Sequence, residues 1–147
     1  MSLGGADSIE VRSHVAELER LFAFIEQFCK RTETPDSVKF KLFLVVEELA
    51  MNAISHGYAG RIDGPIGLTL DRGDREIELR YEDEAPPFDS LRDAREPDLD
   101  ASVADRRIGG LGIHLVKVLS RSATYAYADG RNVVHVMLEA EAEPTPE

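Results

Sequence analysis

From Glu84 to Arg107 the chain has no sustained hydrophobic period, and it packs three prolines, seven acidic and four basic residues into that stretch. The segments on both sides alternate at helix or strand spacing. A long structureless stretch is uncommon inside a compact domain and is usually a lid, a binding loop or disorder. The two periodic parts must therefore meet in one core with this segment looped outside it. At 147 residues, against roughly 100–200 per domain, there is material for one such core and not for two.

The periodic parts read as follows. Ser8 to Arg12 is a short β-like run, after which Val15, Leu18, Leu21, Phe22, Ile25 and Phe28 recur at three and four, one face of a helix. Thr34-Pro35-Asp36-Ser37 is a helix start, with Asp36 or Ser37 placed to cap free amides. A long second helix runs to about His56, closed by Gly57 where a left-handed residue is cheapest. Ile66 to Leu70 and Glu76 to Glu82 form a hairpin around Asp71-Arg72-Gly73-Asp74. A helix follows Gly109-Gly110-Leu111-Gly112 to about Ser120, and a last hairpin joins Ala123 to Ala128 and Asn132 to Leu138 through Asp129-Gly130. This order predicts an α+β fold, a two-layer α/β sandwich with helices on one face of a mixed β-sheet. The domain spans residues 8–138, and 139–147 is an acidic, frayed tail.

Seventeen Lys and Arg against twenty-eight Asp and Glu give a net charge of −11. That excess opposes direct nucleic-acid binding through the phosphate backbone, yet leaves room for a nucleotide held by backbone amides and a metal. One cysteine, Cys29, forms no internal disulfide and fits a reducing compartment, and its place late on the first helix suits a small core residue. No apolar run approaches the ~18 residues of a membrane span and no secretion signal opens the chain, so a cytoplasmic location and no membrane partner are expected.

Three elements carry chemistry. On the long helix, Glu48 and Asn52 stand one turn apart, with Leu49 and Ala53 on a different face. A carboxylate there can accept a proton, and an amide oxygen can ligate a hard cation such as Mg²⁺. The plainer reading of the pair is a solvated polar edge. In Tyr81-Glu82-Asp83-Glu84-Ala85-Pro86-Pro87-Phe88-Asp89 a strand ends in an acid before a rigid turn, where Asp83 either caps the turn or accepts from an exocyclic amine. The cluster Gly109-Gly110-Leu111-Gly112 opens a helix, where free amides and the helix dipole favour phosphate. It lacks the spacing of a dinucleotide fingerprint and the ending of a P-loop. Arg106 and Arg107 directly precede it, either as solvated lid residues or as a clamp on a terminal phosphate.

Taken together and in this order, the elements resemble the anti-sigma regulatory factor family, serine kinases of the GHKL superfamily with a histidine-kinase-like ATPase domain, over about residues 10–138. Glu48, Asn52 and His56-Gly57-Tyr58 stand where that family has Glu-x-x-x-Asn and its His-Gly-Tyr ending. The resemblance implies a Bergerat fold, ATP and Mg²⁺ as cofactors, Glu48 as general base and Asn52 as the Mg²⁺ ligand. It further implies that Asp83 reads the adenine amino group and that Ala85, Arg107, Gly109, Gly110, Leu111 and Gly112 line the nucleotide site, under a lid from Glu84 to Arg107. Its partners would be a STAS-domain antagonist, phosphorylated on serine, and a sigma factor that is sequestered. A homodimer would form through the first helix and strand, with an exposed apolar residue such as Phe24 as its mark.

Two departures qualify the resemblance. Ala85 stands where the family usually has glycine after the adenine-binding strand, and Asn132-Val133-Val134-His135 lacks the threonine found there in many wider relatives. The first makes a catalytically silent sequestering module the alternative function. A sensor histidine kinase is a third reading, but only about one helix precedes Pro35, too little for a dimerisation unit, and His14 reads as an ordinary exposed residue.

Overall fold

The computed structural model describes residues 5–89, 91 and 116–141. Strand β1 (Ala6–Arg12) leads through a short 3-10 turn, Val15–Glu17, into helix α1 (Leu18–Thr32), and helix α2 (Asp36–Asn52) follows and runs into a π-helical turn, Ala53–Gly57. Strands β2 (Pro65–Arg72), β3 (Glu76–Asp83), β4 (Ser122–Ala128) and β5 (Arg131–Glu139) complete the elements, and residues 116–119 are helical. The five strands lie in the order β1-β2-β3-β5-β4.

Every neighbouring pair is antiparallel. The two-layer sandwich is as expected, but its sheet is antiparallel rather than mixed. The reason is the connectivity: β1–β2 and β3–β5 are joined by long excursions that return the chain in the opposite direction, and both remaining pairs are hairpins. The β4–β5 turn is the one legible from Asp129-Gly130, which adopt φ of 56° and 77°, the left-handed pair that a two-residue hairpin requires.

Strand alternation gives the sheet one apolar face. Leu70, Leu79 and Val136 form one cross-strand row, and Leu68, Tyr81 and Val134 the next. All are buried. Against them pack Leu21, Ile25 and Phe28 of α1 and Val38, Leu42, Val45 and Leu49 of α2, so the core lies between one helical layer and one sheet face. At about 25 cal/mol per Å² of apolar surface removed from water, this layer is the main stabilising contribution. Phe24 is half-buried and packs against that core rather than standing exposed.

Several ends differ from the sequence expectation. Asp36 is the first helical residue of α2 and Pro35 its N-cap, with no side-chain cap bond. The α-helix stops at Asn52, and the π turn carries the chain on to Gly57. Gly57 is not left-handed; that conformation falls at Ala59 and Gly60, with φ of 51° and 87°. The strand expected to end at Leu138 includes Glu139, and Ala140 is fully buried with its N–H bonded to Arg75 O at 2.9 Å, so these two residues belong to the folded unit.

The π turn delivers Tyr58 into the gap between the helical layer and the sheet. Its hydroxyl donates to Pro65 O at 2.5 Å and accepts from Glu84 N at 2.6 Å, tying the start of β2 to the end of β3. Nearby, Ser13 Oγ accepts from Gly64 N at 2.9 Å and donates to Arg61 O. A Cβ on Gly64 would lie 2.3 Å from the Tyr58 ring, which is buried and held at its far end. Gly64→Ala is therefore expected to lower stability by roughly 1–3 kcal/mol through overpacking. A urea midpoint unchanged from the parent would contradict this account of the loop.

Candidate functional site

At one end of the sheet the apolar rows stop. The row after Leu68–Tyr81–Val134 is Ile66, Asp83 and Asn132, directly paired across β2, β3 and β5. Asp83 and Asn132 thus face the helices, where a sandwich ordinarily buries hydrocarbon. Both are buried, at 7% and 5% exposure.

A buried carboxylate persists only if its oxygens are satisfied. Asp83 Oδ2 accepts from the Tyr81 hydroxyl at 2.7 Å. Its Oδ1 accepts from Ala85 N at 3.1 Å and from Asn132 Nδ2 at 2.8 Å. Burial, with Asp83 beside it, pushes the Tyr81 phenol well above its ordinary range, so Tyr81 stays a proton donor.

Between this row and α2 lies a cavity of about 250 Å³. Leu49 and Asn52 of α2 with Ala53 and His56 of the π turn form the helical side, and Tyr81, Asp83, Asn132 and Val134 the sheet side. The turn Ala85-Pro86-Pro87-Phe88 closes one edge. Leu49 and Ala53, assigned from the sequence to another face than Asn52, share this wall with it. The lining mixes apolar side chains with a few directional polar groups, Asp83, Asn52, His56 and Asn132 among them, the pattern of a small-molecule site.

Glu48 sits one turn before Asn52 and is not part of that wall. It is not a solvated edge residue either: it is 8% exposed and accepts from Asn52 Nδ2 at 3.1 Å. Burial pushes its carboxyl up to about 7; the Asn52 bond acts in the opposite direction and the Glu47 charge adds to the rise. A base with that value is poised for proton transfer at neutral pH. The same hydrogen bond orients the Asn52 amide, turning its Oδ1 away from Glu48. That oxygen suits a hard cation. Mg²⁺ takes such an oxygen together with waters and phosphate oxygens rather than a cage of protein ligands.

Ala85, the departure from the family pattern, is 3% exposed. A Cβ on Gly57 would lie 2.8 Å from the Ala85 methyl. The methyl is therefore accommodated by the bare α-carbon of Gly57, which explains the glycine there by close approach and not by its dihedral angle. Arg107, Gly109, Gly110, Leu111 and Gly112 lie outside the described residues, as does Arg106. Of the remaining expected site residues, the structure brings Asn52, Asp83 and Ala85 to one cavity, with Glu48 behind Asn52.

Sequence reasoning passed over Asn132, Tyr81, Tyr58 and Phe88. Tyr58 stood inside the quoted His56-Gly57-Tyr58 ending without a role. Asn132 had no local signal, because its position depends on β5 pairing with β3, 49 residues away in its bond to Asp83. Cys29 is buried, and burial raises its thiol to about 11, in keeping with a core residue. His14 caps the 3-10 turn by accepting from Ala16 N at 3.0 Å.

The family described as "Histidine kinase-like ATPase domain" matches residues 11–138. A Serine/threonine-protein kinase BtrW from Bordetella bronchiseptica is 26% identical over 138 residues, 94% of this chain and 95% of that protein. An Anti-sigma F factor from Shouchella clausii is 33% identical over 95 residues, 65% of this chain and 62% of the relative. A Serine-protein kinase RsbW from Listeria monocytogenes is 29% identical over 96 residues, covering 63% and 61%. Among solved structures, the RsbU and RsbW domains of a Mycobacterium tuberculosis protein superpose with a TM-score of 0.64 at 14% identity, covering 90% of this chain and 32% of that one. That likeness concerns the fold.

Two outcomes follow. Because the folded-state value of Glu48 is raised from 4.5 to about 7, its contribution to stability is complete below about pH 4.5 and is lost as pH rises through 7. Glu48→Gln is expected to gain on the parent by on the order of 2–3 kcal/mol between pH 5 and 8 in urea titrations; parallel profiles would refute the buried carboxylate. Separately, Gly57→Ala should destabilise the parent by about 1 kcal/mol more than it destabilises Ala85→Gly, a coupling that a double-mutant cycle measures.

Proposed function

Because the chain belongs to the histidine kinase-like ATPase domain family, we propose that it is an ATP-dependent protein-serine kinase of the anti-sigma type. The observation that carries the reading is the cavity between α2 and the sheet, with a buried carboxylate at one wall and, at the other, Asn52 held from behind by Glu48. Relatives matched along most or much of the chain, a serine/threonine-protein kinase and an anti-sigma F factor, support it.

In this reading Asp83 accepts from the amino group of adenine, and its internal bonds to Tyr81, Ala85 and Asn132 hold it fixed for that purpose. Asn52 Oδ1 would hold Mg²⁺, which when bound neutralises phosphate charge. Glu48 takes the proton of a serine hydroxyl as that oxygen attacks the γ-phosphorus, and ADP departs with the electrons of the broken bond. Burial that raises Glu48 to about 7 makes it a stronger base than a solvated carboxylate while leaving it ionised above neutrality. The glycines 109, 110 and 112 and Arg107 would serve the phosphates.

The protein substrate is a STAS-domain antagonist, and a sigma factor competes for the same protein, so that transcription is set by partner exchange without contact to DNA. The net charge of −11 accords with regulation through proteins. A cytoplasmic homodimer is the state in which we expect it to act.

The test is transfer of label from [γ-³²P]ATP with Mg²⁺ to a STAS-domain protein that demonstrably binds this chain. Label on a serine is expected, with a rate that rises through about pH 7 and falls by on the order of 100-fold or more in Glu48→Ala. Intact binding without transfer by the parent would remove the kinase reading and leave sequestration.

A further inference from the structure

Among the described residues around the cavity Asn132 makes the most side-chain hydrogen bonds, and the arrangement has a consequence for Phe88. Its Nδ2 donates to Asp83 Oδ1 at 2.8 Å, Ala85 O at 3.0 Å and Pro86 O at 3.2 Å. Its Oδ1 accepts from the Tyr125 hydroxyl at 2.6 Å and from the backbone N–H of Phe88 at 3.0 Å. One amide therefore fixes both the carboxylate and the whole turn from Ala85 to Phe88. Two consecutive prolines stiffen that turn further by fixing φ.

The turn is built with more constraint than its packing needs. Ala85 is buried, but Phe88 at its end leaves 48% of its surface exposed while lining the cavity. A single exposed aromatic is unremarkable by itself. An aromatic whose backbone is pinned by the same residue that pins the cavity's carboxylate is a different matter, since the cost of ordering it is not recovered in the core.

We propose that Phe88 is an aromatic wall of the nucleotide site, stacking on the face of the base whose edge Asp83 reads, and that Asn132 is the positioning residue that sets the two at right distance from one another. The ligand class is a planar heteroaromatic ring carrying an exocyclic amine. Stacking suits the ring because it needs no charge, and the amine suits Asp83 because its Oδ2, which accepts only from the Tyr81 hydroxyl, retains a lone pair. The inference rests on the nucleotide reading above.

The chain contains no tryptophan, so Phe88→Trp creates a single reporter at the site. Its emission is expected to be quenched by ADP and unchanged by ribose 5-triphosphate, which has no base. By calorimetry, Phe88→Ala, a change at an exposed position, should weaken ATP binding about tenfold and leave ribose 5-triphosphate binding as in the parent. Asn132→Ser should lower the ratio of affinities for ATP over its analogue lacking the 6-amino group, a ratio that simple loss of stability would not move. If the parent binds ATP, and Phe88→Ala binds it within twofold while the Phe88→Trp emission ignores ADP, the aromatic wall is overturned and the nucleotide reading stands. If the parent binds no nucleotide, both fall.

Discussion

The structure at its functional end depends on a charge placed where hydrocarbon belongs. Strand alternation puts Asp83 on the helix-facing side of β3, two positions beyond Tyr81 and four beyond Leu79. An isolated carboxylate there would be neutralised or would unfold the edge, because burial without partners costs several kcal/mol. Tyr81, Asn132 and the Ala85 N–H remove that penalty with three charge-assisted hydrogen bonds. Each of these partners comes from a different local structure: the same strand, a strand distant in sequence, and the turn. Asp83 is satisfied only once the β3–β5 register is complete, so the carboxylate ties the site to the topology of the sheet.

The second constraint is close approach between the end of α2 and the end of β3. An α-helix continued past Asn52 would carry the chain along the sheet; the π turn widens the last turn and brings Gly57 against the Ala85 methyl and Tyr58 into the gap. Such π turns are frequent at functional sites, where they redirect a side chain without ending the helix early. Here the redirected residue is Tyr58, whose hydroxyl joins two strand ends. Burial raises that phenol to about 12, so it remains a donor to Pro65 O over the whole physiological range.

The same distinction between local and distant causes explains what could be read from the sequence. Helix faces, both hairpins and the Asp129-Gly130 turn were legible because hydrophobic period and turn chemistry are local. The Glu48–Asn52 pair was visible as a spacing, and its burial was not, because that depends on what packs over α2. Gly57 was identified correctly as special and for the wrong cause: a left-handed cap was expected, whereas the requirement is the missing Cβ beside Ala85. Asn132 was invisible, since nothing near it in the chain says that β5 pairs with β3 and not only with β4. The resemblance supplied Asp83 its part, and only the register explains why that carboxylate can be kept buried.

The excess of negative charge poses a last physical question, which the site's surroundings answer locally. The acids next to Asp83 are paired on the outer side of the sheet: Glu82 with Arg80 at 2.8 Å and with Arg131 at 3.0 Å, and Glu84 with Arg131 at 3.6 Å. Exposed pairs of this kind add little stability, but they cancel field, and screening over about 8 Å at physiological salt removes most of what distant acids contribute. Among the described residues that line the cavity, Asp83 is the one carboxylate, beside the uncharged amides of Asn52 and Asn132, the Tyr81 phenol and the His56 imidazole. A neutral base with a donor at its edge is attracted by that single carboxylate, whereas a phosphate would be repelled by it. On the nucleotide reading proposed above, this favours the base toward Asp83 and the phosphates toward the amide of Asn52.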